Sequence, residues 1–520
     1  MAPSIALATL YVLRTKLPTI LGAAALLLSP LPFVRGAGVT IITHGFNGNV
    51  TDWIIPMGQQ IPGYDLFPGS AYSCYQITVD ADFFHNFTVT QSRIGGVNPT
   101  NSDSGEILIK LDWSSLAVDP SYSTSDIADN VVPNLLGANF IPELGGRSLA
   151  EFPIHLIGHS RGGSVVTEMA RLLGQQGVWV DHQTTLDPAP IFGDADVHTF
   201  SNVLFADNYW QMNSDASCPN GQSLPGACNR YLTDLSNGYS CNHSDVHLWY
   251  HGTIDWSHTP ATDTGSTITS AERANWWTTY EAQGRLAGFH YSLIGGGNRL
   301  SADEPAGAGK GRILDGYNQI WDFGAGTSPN RQELPANNGS WPNLIKFDIL
   351  TAQPVTQGGD VSLNYFFQFN QPAAQNATIR VYLDNDANPY NGNQGQFFQS
   401  IESGAGTNVL PRQFSINTGS ILPGQYYVYA QIVYGAHTRY LHAPGRLVIR
   451  SPLSLAITSL GDQRIITWPT NAIGFMLEST ADLLLSNSWS PVSPAPIIIN
   501  GQNTVTNTIG TGSQFYRLKN

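Results

Sequence analysis

The chain has 520 residues, of which 42% are hydrophobic and only 12% charged, and its formal net charge is −14. That length and apolar content permit two or three globular domains with large cores. The acidic balance lacks the basic footprint that nucleic acid or an anionic membrane requires, so neither is expected as a partner.

Residues 1–36 read as a secretory signal peptide. Arg14 and Lys16 precede an apolar stretch from Leu17 to Leu28, and small residues follow at Gly36 and Ala37. The apolar run is short for a membrane span, so an exported, extracellular protein is expected. Four cysteines, Cys74, Cys218, Cys228 and Cys241, have no CxxC metal spacing. In an oxidising compartment they predict one or two disulfides. Cys218 with Cys228 would close a short loop, but four cysteines allow three pairings and spacing does not choose among them.

From residue 37 to about 335, short aliphatic runs alternate with helical patterns, which predicts an α/β domain. "VTIITHGF" (39–46) and "FPIHLIGHS" (152–160) read as buried parallel strands ending in glycine-containing turns. Gly158, Ser160 and Gly162 form the one G-x-S-x-G match in a chain with 52 glycines, where composition predicts about 0.3 by chance. The flanks decide its meaning. "PIHLI" predicts a strand, and Val165, Val166, Met169, Leu172 and Leu173 fall at helical spacing after it. A serine on a tight strand-to-helix turn projects its hydroxyl at the helix amino terminus, the setting of a nucleophile.

Such a serine needs donors for an oxyanion and a base held by an acid. The turn His44-Gly45-Phe46 ends the first strand, and the amides of Phe46 and Arg161 are the natural oxyanion donors; His44 is expected to hold that turn. "VWVDHQTTLDPAP" predicts another strand ending at Asp187, which belongs at the same carboxyl edge as Ser160. Asp194 and Asp196 are competitors expected on the solvated side of the following turn. For the base, "SCNHSDVHLWYHGTIDWSH" offers His243, His247, His251 and His258. His247 and His251 are one helical turn apart, but no H-E-x-x-H pattern makes them zinc ligands.

Residues 324–341 have linker composition. Beyond them, "VSLNYFFQF", "ATIRVYLD" and "QYYVYAQIVY" alternate as strands of a β-sandwich, and the last 70 or so residues repeat that texture in a smaller module. "DNDANPYNG", beginning at Asp384, alternates oxygen side chains as calcium loops do. It lacks the late bidentate Glu of an EF-hand, and such clusters are routine in hairpin turns, so no metal is expected.

Taken together, "TIITHGFNGNVTDW", "HLIGHSRGG", "LDPAP" and "CNHSDVHLWYHGTI" resemble the secreted pancreatic-type lipases of the α/β-hydrolase superfamily, over roughly residues 38–260. The resemblance implies an α/β-hydrolase catalytic domain (37–335), followed here by a β-sandwich module (342–450) and a small all-β module (452–520). It also implies Ser160 as nucleophile, Asp187 as acid, His243 as base, and Phe46 and Arg161 as oxyanion donors, with no cofactor or metal. His247 is the alternative base. Residues 209–241 stand where the family carries its lid, yet they form a Gly/Pro/Asn loop, and the β modules match no lipid-associated domain. The expected function is a secreted carboxylic ester hydrolase acting through an acyl-enzyme on an ester or lipid. Its β modules would contact insoluble substrate. The alternatives are a polymer-ester depolymerase or acyltransferase on the same triad, and an inactive adhesion protein.

Overall fold

The computed structural model describes residues 38–519, except 66–70, 214–217, 234, 255–262, 264, 278–287, 290–330, 336–338, 371–374, 393–394, 405–408, 444, 471–473, 486–487 and 509. The expected signal peptide, His258 and most of the linker lie outside the described residues.

Residues 38–252 build an eight-stranded sheet. In chain order its elements are β1 (Val39–Thr43), α1 (Ile54–Asp65), β2 (Ser73–Ala81), β3 (Phe87–Gly96), β4 (Ile107–Asp112), α2 (Thr124–Leu136), β5 (Ile154–His159), α3 (Arg161–Gln175), β6 (Val180–Leu186), β7 (Val203–Trp210), β8 (Cys228–Tyr231) and α4 (Asn242–Gly252). The sheet order is β3-β2-β4-β1-β5-β6-β7-β8. Every neighbouring pair is parallel except the β2–β3 hairpin. Thr43 pairs with Leu111 and Gly158, His159 with Leu186, and Leu186 with Tyr209, so these strands end together at one carboxyl edge. One sheet face packs with α2 and α3 around Leu156, Val165, Val166 and Met169; the other packs with α1 and α4 around Ile42, Ile157, Leu186 and Trp249. Burial on both faces explains why β1 and β5 read as apolar runs rather than alternating ones, whereas β6, equally buried, carries polar side chains.

Residues 343–450 form a sandwich of β9 (Asn343–Ile349), β10 (Val355–Thr356), β11 (Asp360–Gln368), β12 (Ala377–Asp384), β13 (Gly395–Glu402), β14 (Leu410–Asn417), β15 (Gly424–Tyr434), β16 (His437–His442) and β17 (Leu447–Arg450). One sheet runs β10-β17-β15-β12-β13 with β16 also on β15, and the other runs β14-β11-β9. The inward residues of the two sheets, among them Leu363, Tyr365 and Phe367 against Ile379, Val381 and Ile432, close over one core. Seven further strands between Ala456 and Lys519 form two small sheets around Ile466, Trp468 and Val505.

The expected α/β class is corrected by these counts. The described residues hold 24 strands in five sheets against five α-helices, the fifth (Ser270–Arg273) a single turn, so the chain is predominantly β. Two causes separate expectation from outcome. Sixteen of the strands lie beyond residue 342, and among the described residues the links β6 to β7 and β7 to β8 contain no α-helix where alternating α/β patterning would place one.

The sandwich is docked through buried polar contacts. Arg439 is 3% exposed; it donates to Asp181 Oδ2 at 2.9 Å and to the carbonyls of Trp179 and Phe152 at 2.7 and 3.2 Å. Asn343 donates to Gly177 O at 2.8 Å and accepts from Trp179 N at 2.9 Å. Asn388 donates to the carbonyls of Pro99 and Ser102. All of these partners precede or begin β4, β5 and β6. The sandwich therefore sits at the amino edge of the large sheet, the length of a strand, roughly 17–20 Å, from the carboxyl edge.

Candidate active site

Ser160 connects β5 to α3 with φ 58° and ψ −126°, a left-handed conformation that serine rarely adopts and that costs on the order of 1–3 kcal/mol. Three hydrogen bonds hold it: its amide donates to Leu186 O at 3.0 Å, and its carbonyl accepts from Gly163 and Ala189 at 2.9 and 3.3 Å. The turn closes because Gly158 lies against the next helical residues; a Cβ there would stand 2.1 Å from Gly162 O. Gly45 is equally constrained. Its missing Cβ would fall 2.4 Å from Ser160 Cβ, 2.8 Å from Ser160 Oγ and 2.9 Å from Arg161 N, so glycine leaves open the space beside the hydroxyl and the first amide of α3.

Asp187 ends β6 at the same edge. It is fully buried, with φ 48°, and accepts from Gln211 N and Gln211 Nε2, both at 2.8 Å. His243, at the start of α4, places Nδ1 2.6 Å from Asp187 Oδ2. With Nδ1–H given to the carboxylate, Nε2 is the basic nitrogen. It is buried without a hydrogen-bond partner, and Ser160 Oγ does not bond to it. His159 ties the two halves together: its Nε2–H donates to His243 O at 2.9 Å and its ring lies 4.5 Å from that of His243. Burial, followed by the proximity of His243 and His247, holds the His159 pKa well below the usual histidine value, so His159 is neutral and acts as a donor.

The other histidines go elsewhere. His247 stacks on Trp53 at 4.4 Å with Nδ1 3.4 Å from Asp263, and His251 Nδ1 meets the same carboxylate at 2.8 Å. Burial raises the Asp263 pKa, but the two imidazoles outweigh it and bring the carboxyl to about 2. Two histidines one turn apart thus converge on an aspartate. No group of three or more His, Cys, Asp or Glu suited to a metal occurs among the described residues.

The amides of Phe46 and Arg161 donate to no group among the described residues and remain available. His44 holds the turn that carries Phe46: Nδ1–H donates to Gly45 O at 3.0 Å, while Nε2 accepts from Trp113 N at 3.3 Å. The Arg161 side chain is buried and anchors the start of α3 through Asp194 Oδ1 and Oδ2 at 2.7 and 2.8 Å and the carbonyls of Ala117 and Tyr122. This corrects the expected solvated position of Asp194, whose side chain is fully buried. Sequence reasoning missed Gln211, His159 and the pairing of Asp194.

The disulfide joins Cys218 to Cys241, not to Cys228. Cys241 caps α4 two residues before His243, and the loop after Cys218 lies on Gln211, which donates to Pro219 O and accepts from Gly221 N. The cross-link therefore fastens the loop over Asp187 to the start of the His243 helix. No described helix is long and apolar enough to cross a membrane.

Apolar side chains crowd the same edge. Phe46 follows β1, Phe83 and Phe84 (90% and 80% exposed) tip the β2–β3 hairpin, Val118 follows β4, Phe192 (97%) follows β6 and Met212 follows β7. Among the described residues, the exposed charged residues beside them, Asp80, Asp82, Asp119 and Asp196, are acidic, and no described lysine stands there.

No family model and no curated protein matches the chain. Among solved structures, it is similar over 21% of its length to the CARDB domain of a Pyrococcus furiosus protein (12% identity, 90% of that chain, TM-score 0.15). It is also similar over 22% to the C-terminal domain of Wzt (10% identity, 76% of that chain, TM-score 0.17) and over 20% to the superoxide reductase neelaredoxin of Ignicoccus hospitalis (14% identity, 80% of that chain, TM-score 0.15).

Proposed function

We propose that the chain is a lipase-like carboxylic ester hydrolase that works through an acyl-serine. The observation that carries this reading is the 2.6 Å contact of His243 Nδ1 with the buried carboxylate of Asp187, on a helix gripped by the neighbour of a strained serine. Ser160 Oγ attacks the ester carbonyl while His243 Nε2 takes its proton; Asp187 holds the ring and stabilises the imidazolium. The oxyanion is received by the amides of Phe46 and Arg161 beside the space that Gly45 leaves open. His243 then protonates the leaving alkoxide, and water, deprotonated by the same nitrogen, releases the acid.

The aromatic rim supports an uncharged substrate with an apolar acyl or polymer chain, because acidic residues interspersed with Phe83, Phe84 and Phe192 disfavour an anionic surface. The test is labelling of the folded chain with a p-nitrophenyl alkylphosphonate, followed by peptide mass spectrometry and turnover of p-nitrophenyl butyrate. Stoichiometric phosphonylation of Ser160 with matching loss of turnover is expected. An unmodified Ser160 in folded, inactive protein sinks the proposal.

A further inference from the structure

The loop that follows β12 carries an unmatched carboxylate. Asp384 is 1% exposed; its Oδ1 accepts from Asp386 N at 3.3 Å, while Oδ2 is buried and has no hydrogen-bond partner. Asp384 faces Tyr427 across the β12–β15 pair, and the next residue on that face, Tyr429, also has a buried hydroxyl with no partner. The loop folds back over this face, where Ala387 packs on Tyr427. Burial, and then the charge of Asp386, push the Asp384 pKa up to about 7. Asp103 and Asp386 both act on Tyr427, and the cation that faces them, Arg446, lies over the Tyr427 ring and donates to its hydroxyl. A carboxylate oxygen buried without a donor is a cost that most native structures do not carry.

We propose that the Asp384–Asn391 loop binds a divalent cation of the calcium class, with Asp384 Oδ2 and the Asp386 carboxylate as its anionic ligands. Asp384, Asp386 and the Tyr429 hydroxyl offer oxygens on this face, as calcium prefers, and the His442 imidazole beside Tyr429 is the nitrogen group there. His442 lies 5.1 Å from the Tyr429 ring, but no three His, Cys, Asp or Glu side chains gather among the described residues as zinc would require. The loop, like Arg439 and Asn343, reaches the large-sheet region, through Ala387 N to Asp103 O at 2.9 Å and through Asn388 to Pro99 and Ser102. A cation at its root therefore rigidifies a docking element at the edge opposite Ser160. The proposal is independent of the hydrolase reading.

The test uses the full chain, with equilibrium dialysis and thermal unfolding in EGTA, in about 5 mM calcium chloride and in magnesium at the same concentration, a range suited to extracellular calcium modules. Wild type is expected to bind one calcium and to gain several degrees in Tm, with a smaller gain in magnesium. Asp384→Asn should lose both binding and gain, and in EGTA should melt no lower than wild type because the unmatched carboxylate is gone. Should that variant fail to fold, Asp386→Asn and wild-type dialysis decide. Absence of calcium binding by wild type, or binding undiminished in both variants, overturns the proposal.

Discussion

The Nε2–H of His159 donates to the main-chain carbonyl of His243 at 2.9 Å, so the residue before the candidate nucleophile grips the residue that faces Asp187. The bond is short-range in space yet spans 84 residues of sequence. It converts the strand end and the start of α4 into one unit.

His159→Phe should therefore lower kcat on a soluble ester by about 10–100-fold, because misplacement of a base by an ångström costs that much. KM should change little, and His159→Gln, which keeps a donor, should recover part of the loss. If His159→Phe leaves kcat intact while Tm drops, the contact is structural only.

Assignment of the base is open to a direct comparison. His243→Ala should lower kcat on the order of 10⁴-fold, and Ser160→Ala should do the same. His247→Ala should instead lower Tm, since Trp53 loses its stacking partner and Asp263 keeps only the His251 imidazole. The assignment is wrong if His247→Ala matches the serine variant while His243→Ala stays active.

Arg439→Ala should separate stability from activity. It leaves Asp181 buried without its cation and with the Ile154 amide as its remaining donor, a loss of up to about 3–5 kcal/mol, at the edge away from Ser160. Urea unfolding should shift accordingly while kcat at 25 °C holds. A kcat that falls in step with stability would place the sandwich in the working site.

The apolar rim predicts a split between substrates. Phe83→Ser, Phe84→Ser and Phe192→Ser combined should reduce turnover of an emulsified ester several-fold and spare kcat/KM on a dissolved short-chain ester, because these side chains are already solvent-exposed and support no core. Equal losses on both substrates would contradict a role confined to the substrate surface.

Asp384 also gives a pH signature in EGTA. Its folded pKa, about 7, lies above the unfolded value of 3.8, so the folded state binds the proton more tightly. The associated stability is fully present below the unfolded value and is lost as pH rises through 7. Asp384→Asn removes this dependence, so its Tm advantage over wild type should grow from pH 5 to pH 8. A constant difference would show that Asp384 is not buried as described.

What the sequence determined by itself was local. The strand ending at His159, the turn at Ser160 and the apolar stripe of α3 lie within about 20 contiguous residues, and their backbone geometry follows from aliphatic runs, glycines that permit close approach and helical spacing. The residues by themselves leave four histidines open and only the resemblance points to His243. The contact with Asp187 is made by the tertiary structure, since His243 and His247 share a helix and the position of α4 over β6 and β7 separates their partners. The same holds for the burial of Asp194 under Arg161, for Cys218 meeting Cys241, and for a sandwich held by Arg439 and Asn388 at the far edge of the sheet. It also holds for the predominance of strand over the expected α/β alternation. Each depends on contacts between residues distant in the chain, and such contacts are selected by how whole faces bury together, a quantity no short stretch of residues contains.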